Sequence, residues 1–361
     1  MKSLWYSCYY AWVIGTKDIL DALKNKTSLV NIIVILFMVV FFYWMSELRP
    51  FDKQVGVVIY DEGHPALTIE KFKLADGTEY FFRQATSLQD MEQKMASQNL
   101  GVVIPADFDQ ILSSGGTPTL NGYIFWVDRQ KVSRLEAKYS QALSEVYGQP
   151  VQVAIGHNII IPQATASGEQ TNITYLMVYF VFTTALLVIP TLMLEEKQTR
   201  TMDALLSSPV SAGQVVAGKA LAGFFYILLV GSLAVVLFSQ YIVNWALALT
   251  TLLGYALLAI GLGLLVGSML KSMRQLGASM LVLALVLMVP PLFYTAPNLK
   301  EGIRLIFTWV PTSALASLLR FSCSTGFGTA QVVPNLAVVI LSIGIVFGLV
   351  TWKVHRSDRQ G

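Results

Sequence analysis

Residues 213–220, GQVVAGKA, have the spacing of a phosphate-binding loop, G-x-x-x-x-G-K. In such a loop the backbone N–H groups cradle phosphates and the lysine reaches their outer oxygens. A Ser or Thr after the lysine holds Mg²⁺. Here Ala220 stands in that last place. A helix-forming stretch and a proline precede the glycines, where the loop needs a strand, and an apolar stretch of spanning length follows. The match is a coincidence of spacing, and the chain itself is not expected to bind ATP. No other stretch is a candidate nucleotide site, and no paired carboxylates, Cys/His set or metal constellation suggests an integral membrane enzyme. His64 and His157 read as solvent-facing or structural.

The surrounding chain sets the physical class. Of 361 residues, 54% are hydrophobic and 13% charged, about half the charge of a soluble domain. Five stretches lack Asp, Glu, Lys and Arg: 27–46, 170–194, 220–270, 275–299 and 321–352. A span takes about 20 residues, so 220–270 holds two, with a turn near 240–245. The expectation is an α-helical integral membrane protein with spans at 29–46, 173–194, 220–242, 246–269, 276–296 and 332–352. An even number puts both termini on one side. With the termini inside, the cytoplasmic pieces 1–28, 195–219, 271–274 and 353–361 carry twelve Lys/Arg against six Asp/Glu. The large loop 47–172 carries ten against fifteen. The positive-inside rule therefore places the termini in the cytoplasm, with the short outer loop 297–320 as an exception. The first apolar run is too long and starts too late for a signal peptide. Cys8 and Cys323 fall on opposite sides and cannot pair.

The spans carry no ionisable side chain in this reading, which argues against proton coupling and against a charge-selective pore. Gly263 and Gly267 form a small-xxx-small face, suited to packing within the subunit, with a dimer seam as the alternative. Trp5, Tyr9 and Trp12 share one face of a predicted N-terminal helix, residues 1–28, followed by Lys17, Lys24 and Lys26. That pattern suits the headgroup layer.

Residues 47–172 read as a small extracytoplasmic α/β domain. Strands are expected at 54–61, 79–85, 100–104 and 119–128. Helices are expected at 87–99, capped by Ser87, at 106–114, opened by Pro105 and ended by Gly115-Gly116, and at 132–148. Residues 297–331 are apolar but too broken for a span, so a re-entrant or interfacial pair of short helices is expected there. Pro290-Pro291 are expected to bend or end the span before it.

The segment 195–219 is polar and short. Thr201 is a plausible N-cap, Asp203 lies in the first turn, and Met202, Leu205 and Leu206 share a face. Ser207, Ser208 and Pro209 close the helix. That apolar face could dock on another protein or pack on the membrane surface, and spacing alone leaves both open.

These residues also carry a resemblance. Glu195-Glu196-Lys197, Thr201-Met202-Asp203-Ala204-Leu205-Leu206, Ser208-Pro209-Val210 and Gly218-Lys219 resemble the intracellular motif of ABC-2 type transporter permeases. The order of parts along the whole chain is similar too. VVIYDE (57–62) and VVIPADF (102–108) resemble outer-domain strands of the multidrug-efflux-like branch, and VPTSALASLLRF (310–321) resembles its re-entrant segment. Arg200 departs from the family's usual glycine.

The resemblance implies a permease subunit of an ATP-driven exporter in the bacterial inner membrane, for an apolar or amphipathic substrate. Glu195, Glu196, Lys197, Arg200, Thr201, Met202, Asp203, Leu205, Leu206 and Pro209 would meet a cytoplasmic ABC ATPase subunit. Pro311 and Arg320 would form an outer gate. ATP and Mg²⁺ would sit on the partner ATPase, with no cofactor in this chain. Further implied partners are a second copy or a similar permease, the bilayer, and, as a hypothesis from the outer domain's size, a periplasmic adaptor and outer-membrane channel. No nucleic acid is expected. The competing reading is a membrane-anchored receptor or assembly factor whose outer domain binds a partner without transport.

Overall fold

The computed structural model describes residues 2–48, 54–63, 71–73, 77–95, 98–161, 169–198, 211–294 and 299–358. Among the described residues, six helices hold stretches long and apolar enough to cross a membrane. They are α2 (Lys26–Leu48), α6 (Glu169–Gln198), α7 (Ala212–Leu237), α8 (Trp245–Met269), α9 (Met273–Phe293) and α12 (Thr329–Asp358). A further helix, α1 (Lys2–Lys24), precedes them.

Burial orders the bundle. The spanning stretch of α6 is 78% buried, against 22% for α2, 22% for α9 and 11% for α12. α6 is therefore the central rod, and the outlying helices turn apolar faces such as Phe37, Leu281, Val286 and Ile345 outward. α6 packs closely on α8. A Cβ at Gly263 would lie 2.9 Å from the Ala185 carbonyl oxygen, and one at Gly267 would lie 3.1 Å from the Cα of Pro190. The small-xxx-small face thus serves packing inside the subunit.

Several boundaries differ from the charge-based reading, because caps rather than charges set them. α7 starts at Ala212, since Ser211 and Gln214 form a reciprocal capping box. Ser272 caps α9 by accepting from the Gln275 N–H at 3.3 Å, and Asn244 caps α8 by accepting from the Leu247 N–H at 3.1 Å. Pro290 and Pro291 do not stop α9, which runs on to Phe293. They lie in its last turns, and the Tyr294 N–H still reaches the Pro290 carbonyl at 2.9 Å. Two short helices, α10 (Glu301–Thr308) and α11 (Pro311–Ser322), meet at 86° before α12.

The segment between α2 and α6 folds as a three-layer α/β domain. Its strands are β1 (Gln54–Asp61), β2 (Lys71–Lys73), β3 (Glu79–Ala85), β4 (Leu100–Ile104), β5 (Thr119–Phe125), β6 (Gln152–Ala154) and β7 (Ile159–Ile160). The sheet order is β2-β3-β1-β4-β5-β6, with β7 on β5. β1 pairs in parallel with β3 and β4, and β5 runs antiparallel to β4. Every residue of β4 is buried, as a strand covered on both faces requires.

One face takes Met91 and Met95, from and just after α3 (Leu88–Lys94), against Val58 and Val103. The other takes α4 (Phe108–Ser113) and α5 (Val132–Tyr147) against Val57, Ile59 and Val102. Ser87 caps α3 as read from sequence, but the helix ends at Lys94. α4 begins at Phe108 after a turn, so Pro105 does not occupy its first position. The strand expected over 119–128 stops at Phe125, and residues 126–131 form a 3₁₀ turn. α5 ends on Gly148, whose φ of 68° is the left-handed cap geometry.

The short strand β6 is held from the side. Glu136, Ser140 and Ser144, one turn apart on α5, accept from backbone N–H groups of Ile155, Val153 and Val151 at 2.8, 2.8 and 2.9 Å.

A second tie joins this domain to the bundle. Arg129 donates from Nη1 to the Trp126 carbonyl at 2.8 Å and to the Gln240 carbonyl, in the α7–α8 turn, at 2.7 Å. Its guanidinium lies 4.1 Å from the Trp126 ring centroid, and Val127 packs on the cluster around Phe238 and Tyr241. Arg129→Ala removes two charge-assisted hydrogen bonds of about 1.5–3 kcal/mol each. Faster amide exchange at 126–131 and 239–241, with the sheet still protected, is the expected result.

Candidate functional site

Both ends of residues 199–210 enter one junction, at the end of the bundle away from the α/β domain. α6 leads into the segment and α7 leaves it. Arg200, Thr201, Met202, Asp203, Leu205, Leu206 and Pro209 lie outside the described residues, so the helix expected over 201–206 is not addressed by the structure. Glu196 and Lys197 belong to the last turn of α6, with side chains outside those described. Glu195 is half-buried and accepts from Asn25 Nδ2 at 2.8 Å.

Asn25 also closes the elbow between α1 and α2, because its Oδ1 accepts from the Ser28 N–H at 3.2 Å. One amide side chain therefore fixes the α1–α2 turn and the end of the central rod together.

α1 crosses the start of α7 at close range. A Cβ at Gly218 would lie 2.6 Å from Ile14 Cγ2 and 3.1 Å from the Ala11 carbonyl oxygen. A Cβ at Gly15 would lie 3.1 Å from the Gly218 carbonyl oxygen. Only glycine at both positions allows this backbone approach. Beside the crossing, Lys219 Nζ sits 3.3 Å from Asp18 Oδ2, with side chains 1% and 3% exposed. Tyr226 then donates to the Ile19 carbonyl at 2.6 Å, about two turns further along α7. Ile14, Asp18 and Ala22, each buried, line the face of α1 that meets α7, while Tyr9 and Trp12 are more than half exposed.

This geometry disposes of the phosphate-loop reading. Residues 213–219 are turns of a continuous helix rather than a loop, and the lysine that would meet a phosphate is buried beside a carboxylate. The helices run past the charge-free stretches at this end, so Glu195 and Lys219, just outside the expected spans 173–194 and 220–242, are each engaged with α1 or the elbow after it. Among the described residues no three His, Cys, Asp or Glu side chains could hold a metal ion. His157 is exposed, and Cys8 and Cys323 are free thiols.

At the opposite end, Pro311 opens α11 as its first residue and Arg320 lies in its last turn. Arg320 borders a cleft with Thr174, Tyr175 and Tyr294. Sequence reading missed Asp18, Asn25 and Tyr226. Asp18 did carry a signal, as an acid four residues from Ile14 and from Ala22 on an otherwise apolar helix face.

The ABC-2 family transporter protein family matches residues 26–353, from the elbow through the last span. The chain belongs to this family. No curated protein and no solved structure matches it. As an ABC-2 family member it is a multi-pass membrane subunit of an ABC transporter, and membership implies association with an ABC ATPase. The match starts after α1, so the helix that grips α7 lies outside the matched residues.

Proposed function

We propose that this chain is the permease subunit of an ATP-driven exporter that moves an apolar or amphipathic molecule out of the cytoplasm or the inner leaflet. The observation that carries the reading is the family match over 26–353, which spans all six apolar helices and residues 199–210. In this reading both termini and the junction of α1, α6 and α7 face the cytoplasm. The excess of Lys and Arg on those pieces supports that side.

Residues 201–206 then form a coupling helix, with Met202, Leu205 and Leu206 on the ATPase and Lys197, Arg200 and Asp203 around them. Closure of the ATPase pair pushes this helix. The motion passes directly into α6 and α7, because Asn25–Glu195 and Asp18–Lys219 tie both helices to α1 and its elbow. The push must favour one packing of the spans over the other by a few kcal/mol, about 5.5 for a complete switch. A second copy, or a similar permease, would cover part of the apolar surface left on α2, α9 and α12. α10 and α11 serve as a re-entrant gate on the far side, where a periplasmic adaptor would meet the α/β domain.

A pull-down of the tagged, full-length chain from native membranes tests the assignment. Recovery of an ABC ATPase in about equal amount is expected. Recovery of receptor ligands without any ATPase would replace this reading with that of a membrane anchor.

A further inference from the structure

The turn between α7 and α8, residues 239–244, fastens three parts of the chain together. From the α/β domain, Arg129 donates to the Gln240 carbonyl at 2.7 Å. From α11 comes an acceptor, the Ser322 carbonyl, in a last turn whose carbonyls lack partners along the helix. It accepts from both the Val243 and the Asn244 N–H groups, at 2.9 and 2.8 Å. Asn244 also starts α8, since its side chain accepts from the Leu247 N–H at 3.1 Å. Apolar packing follows the same route. Val127 of the domain lies against one cluster that holds Phe238, Tyr241 and Ile242 of the turn together with Leu319 and Cys323 at the end of α11.

We infer that this turn is a strap by which the α/β domain holds the end of α11, so that domain position and α11 packing form one equilibrium. Two features make the strap transmit as well as anchor. The turn has little slack, because the Phe238 N–H closes α7 on the Ala234 carbonyl at 2.9 Å on one side and Asn244 caps α8 on the other. Ser322 is fully buried, so its carbonyl finds no water if the turn moves away alone. That move would unpair a buried acceptor and two donors at once. α11 therefore follows the turn, or the contact breaks as a whole, and such a two-state contact can carry coupling between sites.

Coupling of this kind is reciprocal. A partner that fixes the α/β domain favours one packing of α11, and repacking of α11 shifts the domain. With α11 in the proposed re-entrant gate, the strap lets the outer domain regulate that gate. It rests on that reading only for what the movement of α11 accomplishes.

Amide exchange of the purified full-length protein reads the strap without any ATPase. In Arg129→Ala, exchange should quicken roughly tenfold or more, as loss of a hydrogen bond to a charged group gives. The rise should reach 243–244 and 319–324 as well as the contact residues 126–131 and 239–241. Arg129→Lys, which keeps the charge but loses the planar fork, should show a smaller rise at the same places, and it decides the matter if the alanine variant does not fold. Leu319→Ala works from the other end. It should quicken exchange at 126–131 while β1 and β4 stay protected. Absence of either remote effect, at 319–324 in the Arg129 variants or at 126–131 in Leu319→Ala, makes Arg129 a local pin and overturns the strap. An ATPase in the pull-down without these remote effects would sink the strap alone. Remote effects without any ATPase would sink only the exporter reading.

Discussion

Lys219→Met alone should destabilise the protein by about 3 kcal/mol, the low end for breaking a buried pair, because it removes the buried cation 3.3 Å from Asp18 and leaves the carboxylate only the half-exposed Lys17 at 3.7 Å. Asp18→Leu alone should cost a similar amount by stranding the ammonium. The double variant, Asp18→Leu with Lys219→Met, should recover most of the loss. A buried pair weighs a large desolvation penalty against its attraction, so an apolar pair of similar volume serves nearly as well. Thermal melts of the four proteins in detergent give the cycle. Additive losses would mean that the 3.3 Å contact contributes nothing, and α1 would then be held by its glycine crossing, the Tyr226–Ile19 hydrogen bond and apolar packing. The stable double variant has a further use. If it folds but no longer couples ATP hydrolysis to transport, the pair acts in transmission as well as in packing.

Leu205→Asp combined with Leu206→Asp should abolish co-purification of the ABC ATPase while leaving size-exclusion behaviour unchanged. Two carboxylates on the docking face would each have to be desolvated in an apolar groove, a cost of several kcal/mol each. That is enough to reduce occupancy to background at micromolar concentrations. The α/β domain and the spans do not depend on these side chains in the proposed arrangement. Undiminished recovery of the ATPase would show that the two leucines rest on the membrane surface instead.

The parts that could be read from sequence were those set by composition over long stretches. Charge-free runs coincide with the six candidate spanning helices among the described residues, because a bilayer excludes charge along its whole thickness. Strands such as 54–61 and 100–104 were equally plain, since their residues alternate or run apolar between turn signals. Where a local cap competed with a charge, the cap decided. Lys219 marked the edge of a charge-free run, yet the Ser211–Gln214 box had already started the helix. The capping pattern was present in the sequence and was outweighed by the charge criterion.

β6 and β7 are three and two residues long, too short for any periodicity. β6 exists because α5 offers it three side-chain acceptors. The candidate junction was half legible. Glu195 stood out as a charge at the end of a span, but its partner Asn25 is 170 residues away in sequence. Asp18 and Lys219 are 201 apart. Such pairs are fixed by tertiary packing, and no local pattern announces them.

The central claim is that residues 199–210 lie in the cytoplasm against an ABC ATPase. The most direct measurement places a single cysteine at that face, Leu205→Cys, in a chain whose native thiols Cys8 and Cys323 are replaced by serine. With a short bifunctional crosslinker in inverted membranes, the account predicts an adduct containing the ATPase subunit. It also predicts protection from an impermeant thiol reagent added to intact cells. Labelling of Leu205→Cys by that reagent from outside, with no ATPase adduct, would contradict it.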